Sequence, residues 1–106
     1  MPKKAMDLLT ESMFYVLMSF QNGPMCGIDI AEAIARCTRG RLRIGPATLY
    51  TILGKFEKEG YIDEISVEGR KRTYRITEKG RGAYREELER LRQCIADAEQ
   101  WRGGNF

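Results

Sequence analysis

Between Gly45 and Gly60 the apolar residues recur at a helical spacing, and directly after Gly60 they begin to alternate. Nothing else in the chain constrains its fold as tightly, because a period near 3.6 and a period of 2 cannot share one element. Leu49, Ile52, Leu53 and Phe56 form a single apolar stripe, so a helix here must bury that side. Gly45-Pro46 opens it, with proline at the first helical position, where a missing N–H costs nothing. Gly60 stands where a left-handed cap is preferred. Beyond it, Ile62, Glu64 and Ser66 alternate with Asp63, Ile65 and Val67 in a short strand. Glu68-Gly69-Arg70 makes a turn, and Arg72 to Thr77 forms the returning strand.

The flanks read as helices. Thr10 caps a first helix expected to reach about Gln21, ended by Asn22-Gly23-Pro24. Met13, Val16, Leu17 and Phe20 share a helical spacing while Phe14 and Met18 are apolar on other faces, which predicts burial on a second side, against another subunit. A second helix from about Gly27 to Cys37 places Ile30, Ile34 and Cys37 on one face, and Thr38 to Arg43 break the pattern with a turn and a cluster of charge. Thr77 caps a last helix running to about Trp101, with Gly80 and Gly82 expected to loosen its start. The order helix, helix, helix, hairpin, helix predicts an α+β, mainly α fold: a winged helix-turn-helix. It assigns residues 1–77 to the DNA-binding domain, 78–101 to a C-terminal dimerisation helix in the same compact unit, and 102–106 to a frayed tail.

A length of 106 residues fits one domain and leaves no room for a separate catalytic one. The chain has no histidine, which removes Ser-His and Cys-His nucleophile pairs and His-ligated metal sites. No catalytic residue, metal site or cofactor is therefore assigned, and the chain is not read as an enzyme. Cys26, Cys37 and Cys94 are odd in number and far apart, which favours a reduced cytoplasmic protein over a disulfide framework. Cys37 and Cys94 are expected to pack as small core residues, and a redox role for Cys26 stays open. Lys3 and Lys4 superficially resemble the start of a signal peptide, but Asp7 and Glu11 interrupt the apolar stretch, and the longest apolar run, Met13 to Met18, is too short to span a bilayer. Neither secretion nor membrane insertion is expected.

The net charge of +3 is unevenly spread: Arg36 to Arg81 holds twelve Lys/Arg against six Asp/Glu, and the flanks hold six against nine. A basic centre points to a polyanion. On the third helix the face opposite the apolar stripe carries Ala47, Tyr50, Thr51, Gly54 and Lys58, bordered by Thr48 and Lys55. Small side chains let a helix lie deep in the major groove, where hydroxyls and lysines reach phosphates or base edges. Arg70, Lys71 and Arg72 at the hairpin tip repel one another unless a polyanion neutralises them. The DNA-binding residues are thus read as Ala47, Thr48, Tyr50, Thr51, Lys55, Lys58, Arg70, Lys71 and Arg72. In the last helix Tyr84, Leu88, Leu91, Ile95 and Ala98 form a heptad seam that, with Met13 of the first helix, is read as a homodimer interface. Two-fold symmetry would present two recognition helices to a pseudo-palindromic operator in double-stranded DNA. The competing reading is a winged-helix module that binds another protein and not DNA.

The segments Leu9 to Leu17 and Gly23 to Ile30, the run Gly45-Pro46-Ala47-Thr48-Leu49-Tyr50-Thr51-Ile52-Leu53, then Glu57 to Ile62 and Gly69 to Gly80, together resemble the PadR family of bacterial regulators. The resemblance implies winged-helix dimers that repress transcription and release DNA when a small effector binds. It implies DNA contacts from Tyr50 and its neighbours and from Arg70 to Arg72. The single C-terminal helix is similar to that of the short branch of the family, where it completes the dimer. Two departures stand out: the family often has an aromatic where Ile28 stands, and some short members carry a tryptophan midway along the last helix, where this chain has Leu88 and Leu91.

Overall fold

The computed structural model describes residues 9–104. The expectations placed on Lys3, Lys4 and Asp7, and on Asn105 and Phe106 of the tail, lie outside those residues. In chain order the elements are α1 (Glu11–Ser19), β1 (Met25–Cys26), α2 (Gly27–Cys37), α3 (Pro46–Glu59), β2 (Ile62–Glu68), β3 (Lys71–Ile76) and α4 (Glu78–Arg102). The sheet is antiparallel in the order β1-β3-β2, so the hairpin is extended by a third short strand running up to α2. Two residues carry no periodicity, and β1 is invisible in the sequence for that reason.

Thr10 caps α1, its hydroxyl accepting a hydrogen bond from the Met13 amide at 3.2 Å. The α-helix stops at Ser19, earlier than expected, and Phe20–Asn22 continue as a 3₁₀ turn. The Ser19 hydroxyl donates to the Val16 carbonyl at 2.6 Å and the Gln21 amide to the Leu17 carbonyl, so side chains engage the last helical carbonyls. The helix is buried on two sides, and α4 of the same chain supplies the second: the Phe14 and Tyr84 rings stack at 5.1 Å. Met13, expected at a subunit interface, packs into its own subunit's core because α1 is enclosed from both directions.

Ile30 and Ile34 of α2 meet α1 and α3 in one cluster with Leu17, Phe20, Leu49, Leu53, Phe56 and Ile62. Cys37 and Cys94 are exposed, whereas Cys26 is buried, which corrects the expected core packing of the first two. The α2 stripe runs past its partners after Ile34, and every residue of α4 from Arg92 to Arg102 is exposed, so neither position has a core to enter. In the loop after α2, the Gly40 amide reaches back to the Ala35 carbonyl at 2.7 Å, and Arg39 occupies the left-handed region at φ 53°.

The helix α3 runs as the sequence indicates, from Pro46 to a left-handed Gly60 whose amide bonds to the Glu57 carbonyl. Strands β2 and β3 pair from Ile62↔Ile76 to Glu68↔Lys71, leaving a two-residue turn, Gly69-Arg70. A register shift between Glu64 and Ser66 disrupts the expected alternation, and Ile65 and Val67 are both exposed.

The start of α4 is tight where a loose one was expected. The Thr77 hydroxyl accepts from the Gly80 amide and donates to the Gly60 carbonyl at 2.6 Å, and the Thr77 amide donates to the Tyr61 carbonyl. Gly80 is buried against Tyr61 and Ile76, a close approach that only a residue without Cβ permits. Further along, Tyr84, Leu88 and Leu91 pack half-buried on the subunit's own core, while Ile95 and Ala98 stand in solvent. Glu87, buried beneath α1, is held by two hydrogen bonds from Arg90.

Candidate nucleic-acid interface

The stripe that buries Leu49, Ile52, Leu53 and Phe56 turns the rest of α3 outward, and Ala47, Thr48, Tyr50, Thr51, Lys55 and Lys58 are all exposed. Thr51 folds its hydroxyl back onto the Ala47 carbonyl at 3.0 Å, which keeps the middle of this face low. Tyr50 stands on one border and Thr48 and Lys55 on the other, following the helical angle of 100° per residue.

On the Tyr50 border, β1 and β3 bring the wing alongside the start of α2. A groove of about 400 Å³ is bounded there by Tyr50, by Arg70, Lys71 and Arg72, and by the segment from Cys26 to Asp29. The third helix and the wing, separated by some twenty residues of chain, thus share one concavity. Ile28 is 72% exposed on its wall. Beneath it the Cys26 thiol donates to the Asp29 carboxylate at 3.2 Å.

The three wing cations are not equivalent. Arg72 reaches the Glu64 carboxylate across the hairpin at 3.3 Å, and Arg75 approaches Asp63 at 3.8 Å. Among the described residues Arg70 and Lys71 meet no carboxylate. Exposed pairs of this kind are worth about 0–1 kcal/mol, so a phosphate can replace the carboxylate at little cost. Tyr74, behind Arg72 on β3, is buried; burial pushes its phenol up, and Glu57 and Glu64 add to the shift.

On the opposite border a second groove, of about 380 Å³, lies between the first turn of α1 and α3, with Thr10, Ser12, Thr48, Thr51 and Lys55 on its walls. Sequence reasoning missed the α1 residues, since a serine in a helical first turn carries no signal of its own. It also missed Arg41, which donates to the Glu11 carboxylate at 3.0 Å and to the Tyr15 hydroxyl at 3.1 Å. The hydrogen bond to Glu11 holds the Arg41 guanidinium above its ordinary value.

Two helices joined by a turn, an outward third helix and a hairpin with cations at its tip define a winged helix-turn-helix protein. A family model described as the transcriptional regulator PadR-like family matches residues 16–86, and the chain belongs to that family. A transcriptional regulator from Clostridium thermocellum is 28% identical, with a TM-score of 0.74 over 83% of this chain and 89% of that one. Bacillus subtilis PadR, solved in complex with operator DNA, shares the fold at 20% identity, with a TM-score of 0.66 over 74% of this chain and 47% of that one. An uncharacterized protein of Lysinibacillus sphaericus is 36% identical over 66 residues, 58% of this chain, and the match spans 60% of that protein's length. The chain is thus a PadR-like transcriptional regulator. No described helix is long and apolar enough to cross a membrane.

Proposed function

We propose that this protein is a cytoplasmic, homodimeric repressor that binds double-stranded operator DNA, with α3 in the major groove and the wing along the backbone. The observation that carries this reading is the shared concavity of Tyr50 with Arg70, Lys71 and Arg72. It aligns a helix face of small, hydroxylated and basic residues with a cationic hairpin, as base readout and phosphate contact together require. The dimer rests on the exposed half of α4, where Ile95 and Trp101 are 62% and 70% exposed. A small effector is assigned to a groove of about 340 Å³ between α1 and α4, lined by Leu9, Phe14, Tyr15 and Leu91 together with Glu87 and Arg90.

The test is fluorescence anisotropy on the DNA upstream of the protein's own gene, at two salt concentrations and against a scrambled duplex. Binding about a thousandfold tighter than to the scrambled duplex, and falling steeply with salt, is expected. Absence of binding to any duplex at low salt would leave the protein-interaction module as the better reading.

A further inference from the structure

A helix lying in the major groove has a phosphate strand on each of its edges. The wing occupies the Tyr50 edge of α3 and can meet only one of them. The groove on the Thr48–Lys55 edge has the chemistry to meet the other. Its walls carry donors with nothing to donate to: the Ser12 and Thr48 hydroxyls and the Lys55 ammonium make no hydrogen bond or ion pair among the described residues. The Thr10 oxygen accepts from the Met13 amide, which leaves its proton available. Among the described residues no aspartate or glutamate lines the groove. Glu11, the one acid in that turn of α1, is engaged instead by Arg41 from the loop between α2 and α3.

We propose that this groove seats a backbone phosphate of the DNA strand opposite the one met by the wing, with Ser12 and Thr48 donating to its oxygens and Lys55 supplying the charge. The seat rests on the DNA-binding reading above and extends the footprint onto α1. Arg41, through its ion pair with Glu11, offsets the charge of that carboxylate.

Charge reversal at Ser12 tests it. Ser12 lies in the first turn of α1, where an acidic side chain favours the helix, so Ser12→Glu is expected to fold. Ser12→Lys is the partner variant, and circular dichroism confirms both folds. Binding is measured on a random-sequence duplex of about three helical turns across a salt titration, since backbone contacts are read without sequence. Ser12→Glu should weaken binding about tenfold or more and flatten the salt dependence, whereas Ser12→Lys should tighten binding and raise the slope by about 1 unit. If both variants stay within about twofold of the parent while alanine at Arg70, Lys71 and Arg72 weakens binding, the seat is wrong and the DNA-binding reading stands. Equal weakening by both variants would indicate a packing effect and also overturns the seat. Failure of the parent protein to bind the duplex at low salt would overturn the DNA-binding reading, and the seat with it.

Discussion

At Gly80 an added Cβ would lie 2.2 Å from the Tyr61 carbonyl oxygen and 2.8 Å from Ile76 Cγ1, while at Gly82 it would meet nothing within 4 Å. The same substitution should therefore act in opposite directions two residues apart. Gly80→Ala is expected to destabilise the fold by about 3 kcal/mol through overpacking, and Gly82→Ala to stabilise it by about 1 kcal/mol through helix propensity. Urea unfolding of both variants checks the signs. Arg39 offers a third test, because it holds a left-handed conformation that side chains resist. Arg39→Gly should raise stability by up to about 1 kcal/mol in the same assay. None of these differences was legible in the chain. Helix propensity treats Gly80 and Gly82 alike, because the carbonyl that distinguishes them belongs to Tyr61, on the far side of the hairpin. Cys37 and Cys94 misled for a related reason: periodicity identifies a face, but not where its partner ends.

Among the elements, α3 was legible from end to end, since Pro46, the apolar stripe and Gly60 are all local signals. The wing was legible as a hairpin, but its electrostatics were not. A run of three cations implied three equal repulsions, whereas the pairing of β2 with β3 sets Glu64 against Arg72. Alanine at all three positions should lower the salt slope of DNA binding by up to about 3 units. Arg72 alone should contribute least, because Glu64 already offsets part of its charge in the free protein; anisotropy titrations of the single variants measure this directly. The groove on the other edge of α3 stayed hidden, because only the packing of α1 brings Ser12 beside Lys55.

The described residues measure 57 × 37 × 23 Å, elongated as α4 leaves the core at Leu91 and continues as an exposed rod. The heptad seam divides there. Tyr84, Leu88 and Leu91 pack half-buried on the subunit's own core, and in the proposed dimer Ile95 and Ala98 are the seam positions left fully open to a partner. Ile95→Glu should accordingly produce monomers in sedimentation velocity without loss of helical signal, and persistence of a dimer would place the interface elsewhere. Leu91→Glu is the less discriminating variant, because it also injures the subunit's core. The joint at Thr77 has a mechanical consequence. One hydroxyl engages both the last residue of the α3 cap and the first turn of α4, and the Gly80 contact leaves no gap beside it. The outward helix α3 and the protruding rod are therefore two arms of one closely packed elbow. In the proposed dimer, a tilt imposed on the rod would be delivered to the outward face of α3 as a change in the distance between the two half-sites it can span.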